Sequence, residues 1–160
     1  MTRAASWYDT WSTPALLRHA RDVYRSAIRE ALIEAEYDDM PRDGAYVVGG
    51  VAHEGAPLGE LIRHLGVSKQ AGGQLVDTLV ARGYLDRSVD TEDRRRLTIT
   101  LTERGRAAAA VVRSTVEEVD ARLVQKVGAE SFAITLATLA SLIGGDAGMH
   151  TPGQNAGTVT

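Results

Sequence analysis

Between Pro57 and Thr102 the sequence PLGELIRHLGVSKQAGGQLVDTLVARGYLDRSVDTEDRRRLTITLT switches its apolar spacing from a helical period to a strand period. That switch sharply limits what the chain can fold into. Leu58, Leu61, Ile62 and Leu65 recur at i, i+3, i+4 and i+7, one face of a short helix. Gly66 supplies the left-handed residue that ends it, and Ser68 is placed to cap the next helix by accepting an orphan backbone N–H. The second helix is expected to turn Ala71, Leu75, Val76, Leu79 and Val80 inward. Lys69, Gln70, Gly73, Gln74, Asp77 and Thr78 then face outward. Arg82-Gly83-Tyr84 closes the helix, after which the period drops to two. Leu85, Arg87 and Val89 share a face, as do Leu97, Ile99 and Leu101, with Thr98 and Thr100 opposite. The residues between the strands, Asp90 to Arg96 (DTEDRRR), form a charged hairpin tip. Helix, glycine turn, helix with a polar outer face, then a β-wing, is the arrangement that lays a helix in the major groove of duplex DNA.

The flanks read as helices. Thr13-Pro14 is a helix start, a hydroxyl cap followed by proline where its missing N–H costs nothing. From there to about Glu36, Leu17, Ala20, Tyr24, Ala27, Ile28, Ala31 and Ala35 form a stripe, with Arg18, Arg21, Arg25 and Arg29 on a solvated face. Residues 37–44 are a connector by their Asp, Pro and Gly content. Residues 45–53 are an apolar run that admits a strand, but their place before two amphipathic helices favours a short buried helix, although Gly49-Gly50 weakens it. Thr102 caps the next helix, with Glu103 at its positive end. That helix runs to about Lys126, and Val112, Val116, Val119, Leu123 and Val127 make a coiled-coil-like seam. Gly128 breaks it. A last helix, about Glu130 to Ile143, carries Phe132, Leu136, Leu139 and Ile143 at the same spacing. Apolar stripes at both ends of a small binder point to a homodimer reading two half-sites. The expected organisation is an irregular arm over residues 1–12, a single domain over 13–143, and a Gly- and Thr-rich disordered tail over 144–160. Within the domain, 13–36 and 103–143 dimerise and 45–102 bind DNA. Trp7, Tyr8 and Trp11 in the arm are expected to dock, with a second subunit as one partner.

Composition narrows the function further. The 160 residues contain no cysteine, which excludes disulfides, thiolate zinc sites and thiol redox sensing. No run of apolar residues is long enough for a membrane span, and no signal pattern opens the chain, so a cytoplasmic location is expected. The net charge is −3, but Pro57 to Arg106 carries nine Arg and Lys against seven Asp and Glu. A locally basic face on an acidic body suits a site-specific binder with a local grip. Nucleophile–base arrangements, phosphate loops and paired catalytic carboxylates are absent as motifs, so no enzyme and no cofactor is expected. His19, His53, His64 and His150 are scattered without metal-ligand spacing.

The string LGVSKQAGGQLVDTLVARGYLDRSVDTEDRRRLTITLTERG closely resembles the signature of MarR-type winged helix-turn-helix transcription factors. The likeness takes in the two helices, the glycine at the helix-to-strand junction, the D-x-x-D-R-R wing and the L-T-x-x-G that opens the following helix. With the flanking helices it extends over roughly residues 13–143. The resemblance implies a mainly α fold, a winged helix-turn-helix with a two-stranded β-wing and flanking dimerisation helices. It also implies a homodimeric repressor of a pseudo-palindromic operator, relieved by a small aromatic or apolar effector. Carried over residue by residue, Ser68, Lys69, Gln70, Gly73 and Gln74 face the major groove of double-stranded DNA, where a Gln amide can bond adenine bidentately. Arg94 stands where the family inserts a wing arginine into the minor groove, with Arg87, Arg95 and Arg96 as further contacts. Asp90 and Asp93 orient the wing arginines. An effector pocket would lie between the dimerisation helices and the reading module, lined by Tyr24, Tyr46 and His53, with His19 as a further lining residue. Gly72-Gly73 departs from the pattern, since each glycine costs a helix interior about 1 kcal/mol relative to alanine. It either lets the backbone approach DNA or leaves the helix softer until bound. Two other readings compete: a winged-helix module for protein contact, and a metal-responsive regulator using His53-Glu54.

Overall fold

The computed structural model describes residues 6–54, 58–89 and 97–144. Its element order is α1 (Thr13–Glu34), α2 (Gly44–Glu54), α3 (Leu58–His64), α4 (Lys69–Ala81), β1 (Leu85–Val89), β2 (Leu97–Leu101), α5 (Glu103–Val127) and α6 (Ala129–Gly144). The fold is mainly helical with one two-stranded antiparallel sheet, as the sequence indicates. The chain divides into two compact units, residues 1–119 and 120–160, with the boundary inside α5.

Local chemistry explains the boundaries. α1 starts one residue earlier than the Thr13 cap expected from sequence: Ser12 is the extended cap residue and Thr13 is already helical. At its other end α1 stops before Glu36, which adopts φ 64°, and the Tyr37 N–H reaches back to the Leu32 carbonyl at 2.7 Å. This back-bonded turn satisfies carbonyls that the helix would otherwise leave unpaired. The same turn recurs where the reading module changes period. Gly83 takes φ 72°, and the Tyr84 N–H donates to the Leu79 carbonyl at 2.9 Å. A side chain at Gly83 would be strained in that region, so glycine here sends α4 directly into β1.

β1 and β2 pair in the register Leu85↔Leu101, Arg87↔Ile99 and Val89↔Leu97, which sets each expected inward row opposite the other. Leu85 is buried, and Leu101 and Ile99 pack against the core. That core is built around Val47 and Val48 of α2, Leu79 of α4, Tyr84, Leu85 and Ala108 of α5, with Leu32, Val76, Ala109 and Val112 around them. α2 is therefore the buried helix that residues 45–53 suggest, in spite of its glycine pair. Gly50 eases the packing: a Cβ there would lie 2.6 Å from Leu61 Cδ2, so Leu61 would have to shift to admit one. The arm over residues 1–12 is not irregular throughout. Trp7–Thr10 form one 3₁₀ turn, fixed by the Ser6 N–H donating to Asp9 Oδ2 at 2.6 Å. The expected disordered tail beyond Gly144 lies outside the described residues.

Candidate nucleic-acid interface

The outer face of α4 begins at its cap. Ser68 is extended, and its Oγ accepts the Ala71 N–H at 3.2 Å, as the sequence requires of a cap. Lys69, Gln70, Gly73 and Gln74 are exposed beyond it. Among the described residues, the side chains of Lys69, Gln70 and Gln74 make no hydrogen bond. Three polar side chains on one exposed turn-and-a-half of helix are thus uncommitted.

The inner face differs from the expected one at a single position. Ala71 is exposed and Gly72 is buried, while Val76 and Leu79 lie inward as expected. Residues 72, 76 and 79 recur at four and three, so Gly72 lies on the same buried stripe as Val76 and Leu79, while Ala71 falls to its exposed side. Gly72 then meets α3 so closely that a Cβ would collide with Ile62 Cγ2. Gly73 has nothing within 4 Å of the position a Cβ would take. The glycine pair therefore splits into one position the packing requires and one it does not.

Arg87 is not free on β1. Its Nη2 pairs with Asp77 Oδ1 on α4, tying the wing strand to the reading helix. Sequence distance hid this brace, because ten residues and a turn separate the partners. The wing residues Asp90, Asp93, Arg94, Arg95 and Arg96 lie outside the described residues.

A second polar cluster, not anticipated from sequence, holds the module at the start of α5. Arg104 Nη2 donates to Asp39 Oδ1 at 2.8 Å and to the Tyr84 hydroxyl at 3.1 Å, while its Nη1 donates to the Arg82 carbonyl at 3.0 Å. Its guanidinium lies 4.5 Å from the Tyr84 ring centre, a cation–π distance. The Tyr84 hydroxyl donates to Asp39, and Arg82 donates to the Asp39 carbonyl. Burial, and then the bond to Asp39, push the Tyr84 phenol up to about 12. Beside the cluster, Thr102 Oγ1 donates to the Gly83 carbonyl at 2.6 Å and accepts the Gly105 N–H at 2.9 Å. A Cβ at Gly105 would run into the Tyr84 carbonyl, so only glycine lets α5 begin this close to β1. Of these residues, Thr102 and the glycine of L-T-x-x-G were visible in sequence; Asp39 and Arg104 stand 65 positions apart with no periodic signal.

An open groove of about 2270 Å³ lies within the first unit, lined by parts of α1, α2, α3, β2 and α5. Tyr24 and Tyr46 line it. His19 does not. It is exposed beside Trp11, ring centres 4.7 Å apart, because the 3₁₀ turn folds the arm onto the first turns of α1. The side chain of His53 lies outside those described. Among the described residues, no three His, Asp or Glu side chains are grouped so as to hold a metal ion, and no single helix is long and apolar enough to cross a membrane.

Comparison with known proteins adds to this geometry. The MarR family model matches residues 39–96, from the Asp39 loop through the wing. No curated protein matches the chain in sequence. Among solved structures, a MarR family protein of Mycobacterium tuberculosis in complex with salicylic acid is 26% identical with a TM-score of 0.60, over 84% of this chain and 98% of that one. The S. aureus MepR–DNA complex superposes with a TM-score of 0.66 at 20% identity, covering 84% of this chain and 98% of that one. CouR from Rhodococcus jostii RHA1 bound to p-coumaroyl-CoA has a TM-score of 0.63 at 24% identity, over 82% of this chain and 92% of that one. Reading helix, wing strands, capped α5 and flanking helices agree with these matches: over residues 39–96 the chain matches the MarR family, and its fold is similar to that of MarR-type winged helix-turn-helix transcriptional regulators.

Proposed function

We propose that the protein is a homodimeric repressor that grips a pseudo-palindromic operator with α4 in the major groove and the wing in the minor groove, and that a small ligand relieves the binding. The observation that carries this reading is the exposed, uncommitted row of Lys69, Gln70 and Gln74 on a helix whose other face is fixed in the core. Gln70 and Gln74 present amides suited to adenine edges, and Lys69 and the Ser68 turn suit phosphate. Arg94, with Arg95 and Arg96, supplies the minor-groove contact, and Asp90 and Asp93 orient it. Arg87, held by Asp77, acts chiefly as a brace and adds positive charge near the backbone.

Dimerisation is supported by apolar surface. Ile134, Leu136, Leu142 and Ile143 of α6 are each more than half exposed, as are Trp7 and Val23 near the start of the chain. A monomer rarely leaves such patches open, and a two-fold partner covers them while setting two reading helices one turn of DNA apart. The effector reading rests on the groove lined by Tyr24 and Tyr46 and bordered by Arg25, Arg42 and Arg113. Aromatic walls with cations at the rim suit a small aromatic acid, the kind of molecule seen in the salicylic acid complex of the M. tuberculosis relative.

Selection of bound sequences from a random duplex pool tests the reading. Recovery of a palindrome with half-sites about ten base pairs apart is the expected result. Absence of enrichment would reject DNA reading and leave a protein-contact module in its place.

A further inference from the structure

Gly73 is a residue on the reading face whose identity the fold does not explain, and it is a costly one for a helix. Gly72 beside it must be glycine because Ile62 occupies the space of a side chain. Gly73 points outward with nothing within 4 Å, has no positive φ, and lies mid-helix, where glycine lowers stability by about 1 kcal/mol. On a helix, residues 70, 73, 74 and 77 form one row at i, i+3, i+4 and i+7. Gly73 is therefore a notch flanked by Gln70 and Gln74, both exposed, with Asp77 drawn away toward Arg87. The notch floor is the bare Cα with its hydrogens, and the space a Cβ would fill is open.

Resting on the reading of α4 as the groove-reading helix, we infer that Gly73 is a specificity-determining residue that admits the C5-methyl of a pyrimidine into the notch between Gln70 and Gln74. The C5-methyl is the bulkiest apolar group at the floor of the major groove and is contacted by small or apolar side chains. Thymine and 5-methylcytosine both present it. With the glutamine amides bonding flanking base edges, the notch lets the helix seat at full depth over a methylated pyrimidine. A side chain at position 73 would hold it off.

The test uses the full-length protein and the duplex recovered by selection. Each thymine of one half-site is replaced in turn by uracil, and each cytosine by 5-methylcytosine, and affinity is measured for wild type, Gly73→Ala and Gly73→Leu. Because position 73 opens on empty space, both variants should melt at or above the wild-type temperature, which separates a folding failure from a recognition effect. At one half-site position, wild type is expected to bind the methylated pyrimidine a few-fold better than its unmethylated counterpart. Gly73→Leu reverses that preference, losing roughly tenfold on the methylated duplex and much less on the other. The thymine–uracil and methylcytosine–cytosine arms show which base supplies the methyl. Equal losses by Gly73→Leu on both members of every pair, or no loss on either, would overturn the inference while DNA reading stood. A wild-type protein that binds no duplex would overturn the reading and the inference with it.

Discussion

Gly72 of α4 lies so close to Ile62 of α3 that a single added carbon would occupy the Ile62 methyl position, whereas its neighbour Gly73 faces open space. The two glycines should therefore respond oppositely to the same change. Gly73→Ala gains about 0.5–1 kcal/mol from helix propensity and a less free unfolded chain. Gly72→Ala gains the same local term but must push α3 and α4 apart, for a net loss of about 1–3 kcal/mol. Urea unfolding of both variants measures this; a Gly72→Ala protein as stable as wild type would refute the packing argument.

Arg104 joins three chain segments through one guanidinium, bonding the Arg82 carbonyl with one nitrogen and Asp39 and the Tyr84 hydroxyl with the other. Lysine keeps the charge but cannot span both sites. Arg104→Lys is expected to lower stability by about 1–2 kcal/mol through lost hydrogen bonds and stacking. The charge pairing itself contributes little, since the side chains of Arg104 and Asp39 are 41% and 37% exposed. The loss should thus persist in high salt, and one that vanishes there would assign the effect to the ion pair instead.

The Tyr84 phenol, pushed up to about 12 by burial and its bond to Asp39, gives a pH signature. Below pH 10 the phenol is protonated in both folded and unfolded chains, and the cluster's contribution is fully present. As pH rises toward 12 the unfolded chain ionises first, so the folded state loses stability across that window. Tyrosinate absorbance should show one phenol among the five tyrosines titrating near 12, and Tyr84→Phe should remove it. The same substitution should flatten the fall in stability between pH 10 and 12.

On the reading face, Lys69→Ala should weaken binding across sequences and lower the salt slope by about one. Gln70→Ala should instead relax preference at one base position, by about 1–3 kcal/mol of discrimination. Asp77→Asn frees Arg87 and removes a negative charge beside the face, so nonspecific affinity should rise. Gel-shift titrations at several salt concentrations separate these effects. Identical behaviour of Lys69→Ala and Gln70→Ala would mean that α4 does not read bases.

Leu136→Glu places a charge in the exposed apolar row of α6 without disturbing a buried side chain. Sedimentation should report wild type at twice the chain mass and the variant as a monomer, with operator affinity falling alongside. A variant that remains dimeric would move the interface away from α6.

The module's elements could be read from the sequence because each is governed by local rules. Ser68 caps whatever helix follows it, Gly83 permits one turn, and alternation across Leu85–Val89 and Leu97–Leu101 gives the strands without knowledge of the rest. Tertiary structure decided what local rules leave degenerate. It put Gly72 in place of Ala71 on the buried stripe of α4, since Ile62 of α3 stands where a side chain at Gly72 would go. It placed His19 beside Trp11 and away from the groove, and it brought Asp39, Tyr84 and Arg104 into one cluster. Periodicity reports which face of an element is apolar; it carries no information on which distant side chain that face or its rim will meet. Such pairings are fixed only when the core closes and every buried polar group must find a partner.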